Sequence, residues 1–203
     1  MIEADQRELL LYTNRDALRV SYVTVAWSGI QGVGSVIEGL HSRSLALVGV
    51  GVALALDVTS SIVLIWRFRQ EHGHLGPERL AAHVARIALA AVGVGLIAGA
   101  IQRLATRSGP TVGPLSLGLA LTGLLILPAL AAWKLRVAAG VSSAALRTDA
   151  HITAVGAAMS GVTLIGLALT GLFGWWWADT IAALIIAALA LRQAWSAHPI
   201  SPE

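Results

Sequence analysis

Apolar runs of about twenty residues, broken by short polar punctuation, recur six times along the chain, and that length is what an α-helix needs to cross the hydrocarbon layer. The runs cover roughly residues 18–40, 44–66, 84–103, 112–133, 147–172 and 175–194. Between them stand HSRS (41–44), RQEHGHLGPER (69–79) and TRSGPTVGP (106–114), too short to hold a separate soluble unit. The pattern predicts an all-α membrane protein with six transmembrane helices in one domain over 18–195. A polar segment (1–17) precedes it and a short tail (196–203) follows, both read as cytoplasmic. The opening MIEADQRELLLYTNRDA mixes both charge signs and lacks the basic-then-apolar order of a signal peptide.

Composition agrees with lipid as the solvent. Hydrophobic residues make up 56% and charged residues 12% of the chain, about half the charge of a typical soluble domain. The chain has no cysteine, which removes disulfides and thiolate metal sites. An isoelectric point near 10.2 could point to nucleic acid, but the net charge is only +3. No basic stripe with interleaved aromatics is present, so no nucleic-acid partner is expected. Nor is an enzyme: His41 and His198 fall near membrane ends without a nucleophile motif. Gly49 and Gly51, ahead of Ala53, lie mid-helix with neither a lysine nor a preceding strand, so they form no phosphate loop.

Charge decides the orientation. With the N-terminus cytoplasmic, one side collects Arg7, Arg15, Arg19, Arg67, Arg69, Arg79, Arg86, Lys134, Arg136, Arg147 and Arg192. The other collects Arg43, Arg103 and Arg107, which completes the 14 basic residues. Cytoplasmic loops carry the excess of basic residues, so both termini are expected in the cytoplasm and the protein in the cell (inner) membrane. Trp66, Trp133 and Trp195 then mark cytoplasmic helix ends, and Trp175, Trp176 and Trp177 an outer end.

Seven of the 11 acidic residues lie in tails, linkers or watery helix ends. Glu38, Asp57, Asp149 and Asp179 do not, and a charge at the helix centre costs at least about 2.5–3.5 kcal/mol on insertion scales. Glu38 reads as an ion-pair partner of nearby Arg43. Asp179, in the first turn of the last helix, reads as a complement to the helix dipole, with a metal ligand as the weaker alternative. Asp57 lies deep in the second segment and reads as an ion or proton site, or as a carboxyl bonded to neighbouring Thr59 or Ser60 or to another helix. Asp149 stands near the start of the fifth, where it caps the helix, pairs with Arg147 or faces Asp57. Two carboxylates converging from facing helices would make an oxygen-rich site for a divalent cation.

The stretches SLALVGVGVALALDVTSSIVLIWRF, SSAALRTDAHITAVGAAMS and FGWWWADTIAALI resemble the six-helix transmembrane part of the cation diffusion facilitator (cation efflux) family. The likeness is greatest to a compact branch without the cytoplasmic domain. It spans most of 18–195 and is most specific in the run before Asp57, in ALRTDA and in GWWWAD. The resemblance implies a metal site of two ligands four residues apart on each of helices 2 and 5. These positions are Ala53 and Asp57, and Asp149 and Thr153. Asp57 and Asp149 would form an intact inner layer, whereas Ala53 and Thr153 would form an outer layer without charge. His151 falls on another helix face and reads as interfacial. Ser28 and Gln31 stand where relatives carry an Asn and an acid, and read as interhelical hydrogen-bond formers. A weaker auxiliary set, Glu71, His72, His74 and His83, lies in the linker.

These features imply a homodimeric secondary transporter without a cofactor, embedded in the lipid bilayer. It would export a divalent metal ion (zinc, manganese or iron class) in exchange for protons at Asp57, Asp149 and Thr153. An all-oxygen donor set suits manganese, magnesium or ferrous iron better than tightly held zinc. The alternative is a membrane scaffold or regulatory subunit that keeps the fold with a degenerate site.

Overall fold

Six helices follow one another with short connections: α1 (Asn14–His41), α2 (Leu45–Arg69), α3 (Gly76–Thr106), α4 (Pro114–Gly140), α5 (Ala144–Phe173) and α6 (Ala178–Ser196). The computed structural model describes residues 14–69 and 76–196. Glu71, His72 and His74, and the side chain of His83, lie outside the described residues, as do most of the N-terminal segment and tail. Five helices are long and apolar enough to cross a membrane, while the apolar part of α3, Ala90–Thr106, is shorter. No strand occurs among the described residues.

The helices form two groups. α1, α2, α5 and α4 close a four-helix ring in which each packs on the next, and the α3–α6 pair lies against α2, with α6 also touching α5. Ala46, Val50, Leu54, Leu96, Ala157, Ala182 and Ile186 form the main core between these groups. The outer surface is apolar too: Ile30, Val33, Ile37 and Leu40 on α1 and Ile87, Val94 and Ile101 on α3 are exposed, as lipid-facing residues should be. α1 turns the other way, burying Ser21, Thr24, Ser28, Gln31 and Ser35. Steps of three and four place these residues on one helix face, so α1 presents a polar stripe to the interior of the ring.

Glycine permits the tightest contact in the ring. A methyl group at Gly51 would stand 2.7 Å from the Gly32 carbonyl oxygen and 2.8 Å from the Val36 nitrogen, so α1 and α2 touch backbone to backbone.

Several boundaries differ from the sequence reading; α3 begins at Gly76 rather than 84, and two shifts bear on the site. α4 continues past 133 to Gly140, and α5 begins at Ala144 rather than 147. A hydropathy window closes at the first charges it meets, here Lys134 and Arg136, but neither ends the helix. Lys134 is therefore inside α4, with its side chain fully buried. It must be removed from the cytoplasmic side of the charge count, where ten arginines remain. Six crossings leave Asn14 and Ser196 at the same end of the bundle, here termed the terminal end.

Candidate cation site

The helices of the ring bring a charged cluster into its interior. Asp57 is the central residue of α2, Asp149 lies in the second turn of α5, and Lys134 is six residues before the end of α4. Their relative exposures are 1%, 1% and 0%, so each charge must find its partners inside the protein.

Every polar group of the cluster finds one. The Lys134 ammonium is 2.6 Å from Asp149 Oδ2 and 3.4 Å from Asp57 Oδ1. It donates to Thr153 Oγ1 at 2.7 Å and to Ser61 Oγ at 3.1 Å. Both hydroxyls donate hydrogen bonds in turn: Thr153 to Asp57 Oδ1 at 2.6 Å and Ser61 to Asp149 Oδ2 at 3.1 Å. Ser28 of α1 donates to the other Asp57 oxygen at 2.7 Å. Four helices thus build the cluster, with the α4 nitrogen in a shell of carboxylate and hydroxyl oxygens from α2 and α5 and Ser28 of α1 behind Asp57. Two carboxylates and one ammonium leave a single net negative charge.

The sequence reading brought Asp57, Asp149 and Thr153 together, and the structure does so as well, in a different register. Asp57 meets Thr153 and Asp149 meets Ser61, while Gly156 faces Leu54. The two acids stand one helical turn apart, not in one layer, and Ala53 packs against the apolar core. Asp149 does not cap α5, because Ser143 does so, its side chain accepting from the Leu146 N–H. Its charge partner is Lys134 rather than Arg147. His151 is exposed, outside the cluster. Sequence reasoning missed Lys134, Ser61 and the direct contact of Ser28. A signal for Lys134 was available: it is the sole lysine in a chain whose 14 basic residues are otherwise arginine.

Asp179 belongs elsewhere. It accepts from Ser44 Oγ at 2.5 Å, from the Leu45 N–H at 3.0 Å and from Arg103 at 3.3 Å. It therefore clasps the starts of α2 and α6 to the end of α3, about 18 Å along α2 from Asp57. Its lone pairs are committed to protein donors, which argues against a metal ligand. Glu38 accepts from Ser116 of α4 at 2.5 Å, bonding to that helix rather than to Arg43.

Two environments flank the cluster. Toward the terminal end, Val20, Leu64, Val137, Ala138 and Leu146 close the bundle with an apolar plug. Toward the other end, the buried Gln31 Oε1, Ser35 Oγ and Thr163 Oγ1 have no partner among the described residues. Gln31 Nε2 donates to the Leu119 carbonyl at 3.2 Å, as interhelical bonding predicted. No three His, Cys, Asp or Glu side chains converge among the described residues, so the donors of the cluster are carboxylates and hydroxyls.

A family model described as the cation efflux transmembrane domain matches residues 21–197, a span that holds every residue of the cluster. A search of curated proteins gives no match to this chain.

Proposed function

Because this chain belongs to the cation efflux family of transporters, we propose that it exports a divalent metal cation in exchange for protons, with Asp57 and Asp149 as the charged ligands. The observation that carries this reading is the convergence of both carboxylates on one cation-sized centre inside the ring. Thr153, Ser61 and Ser28 add neutral oxygens, the donor chemistry of manganese, magnesium or ferrous iron. A cation arriving from the terminal end passes the apolar plug and meets Asp149 before Asp57. The orphaned polar atoms of Gln31, Ser35 and Thr163 then offer it hydrogen-bonding groups on the way out. Protons taking its place on the carboxylates release it, and rocking of the helices exchanges access between the two sides. A homodimer in the inner membrane with cytoplasmic termini belongs to the same reading and is supported by the family resemblance.

One observation favours the second reading, a scaffold with a disabled site: the centre is already held by an ammonium. Inverted membrane vesicles separate the two. The transporter takes up at least one of manganese, magnesium, ferrous iron and zinc faster than vesicles without the protein, with proton movement in the opposite direction. Rates equal to those of the empty vesicles for every metal would leave the scaffold.

A further inference from the structure

We infer that Lys134 is a tethered competitor for the transported cation: its ammonium stands in for the cargo inside the closed ring, and loading requires the ammonium to withdraw. The inference rests on the cation site proposed above and concerns how that site is regulated.

Lys134 Nζ has oxygens of Asp149, Thr153, Ser61 and Asp57 at 2.6, 2.7, 3.1 and 3.4 Å. All four come from α2 and α5, while the nitrogen comes from α4. Divalent cations bind oxygen at about 2.0–2.6 Å, so a metal using these oxygens would occupy the space of Nζ. The two cannot share the shell.

A fixed plug would end transport, but Lys134 is attached by a flexible four-carbon stem. Its Cα lies about 9 Å from the last residue of α4, and lysines near helix ends extend their heads toward the interface. The way out runs past Leu64, Val137 and Leu146, so expulsion of the ammonium and opening of the apolar plug are one movement. The ammonium keeps its charge throughout and changes only its place.

The stand-in also meets a physical need. Without cargo or ammonium, two carboxylates would face each other in a dry interior, which is strongly unfavourable. With Lys134 in place the unloaded ring can close.

Two measurements on the purified full-length chain with manganese(II) test this. Calorimetry on Lys134→Met should show binding at least about tenfold tighter than wild type, as expected when a like charge a few ångströms away is removed from a low-dielectric site. Lys134→Arg, which keeps the charge, should give no such gain. Loss of packing alone would not tighten binding. The second measurement needs no variant, because Lys134 is the sole lysine. Its acylation by an amine-reactive reagent, read on its own peptide by mass spectrometry, should be slow without metal and several-fold faster with manganese. If wild type binds manganese while labelling and the Lys134→Met affinity stay unchanged, the competitor role is wrong and the cation site stands. Binding by Lys134→Met alone supports the role. Absence of binding in both proteins removes the cation site and this inference together.

Discussion

Asp149→Ala lowers the stability of the purified protein by about 3–5 kcal/mol, the cost of breaking a buried ion pair from one side. Asp149 Oδ2 is the nearest oxygen to the Lys134 nitrogen, at 2.6 Å, and both side chains are at most 1% exposed. Without it the ammonium keeps two hydroxyls and an Asp57 oxygen at 3.4 Å, and Ser61 loses the group to which it donates. The penalty belongs to the stranded ammonium rather than to the packing lost with the carboxylate. Adding Lys134→Met should therefore return most of the loss, leaving a double variant well above the sum of the two singles. Unfolding in mixed micelles measures all four proteins. An Asp149→Ala loss below about 1 kcal/mol, the range of an exposed pair, would mean that the cluster is not dry.

The second large effect comes from reversing the central charge. Lys134→Glu places a third carboxylate beside Asp57 and Asp149 with no protein cation between them. The metal-free variant should unfold well below wild type, because three like charges at this depth repel and lack a partner. Divalent cations should reverse this, because the surplus acid completes a hard-cation ligand set. Manganese at a hundred times its dissociation constant contributes about 2.7 kcal/mol by mass action alone. The thermal midpoint should accordingly rise steeply with manganese in Lys134→Glu and much less in wild type, where the ammonium competes. A midpoint indifferent to metal would show that Asp57 and Asp149 do not face a common space.

Much of this architecture was legible in the sequence, and the failures have definite causes. Six apolar runs gave six helices, because hydrocarbon thickness fixes the length of a crossing. Asp57 and Asp149 stood out because charge at that depth needs a reason. Their register was one turn wrong, since a slip of four residues keeps the same helix face. Periodicity therefore cannot separate Asp57 opposite Asp149 from Asp57 opposite Thr153. Lys134 was misplaced because a basic residue near the end of an apolar run ordinarily marks the cytoplasmic side. Only the true end of α4 at Gly140 puts it indoors. Asp179 does stand in the first turn of the last helix, but its contacts to Ser44 and Arg103, far away in sequence, were not legible. Pairings between distant segments leave no trace in local pattern.

The cluster also sharpens what a degenerate cation site means. Judged by ligands alone, Ala53 and Thr153 read as losses. Judged by charge, the uncharged Ala53 and Thr153 together with a buried lysine leave the empty site with a single net negative charge. Ser61 and Ser28 supply oxygens that a search for acids and histidines passes over. From Ser28 at the site, the polar stripe of α1 continues through Gln31 to Ser35, toward the end of the bundle opposite the termini.

Metal uptake into inverted vesicles carrying wild type, Asp57→Asn or Asp149→Asn tests the central claim most directly. Both substitutions keep the side-chain shape and remove one of the two charges that a divalent cation requires. The account predicts measurable uptake by wild type and uptake near that of empty vesicles for either variant, at equal amounts of folded protein. Uptake by both variants at the wild-type rate would contradict it, because neither of the carboxylates that define the site would then be required.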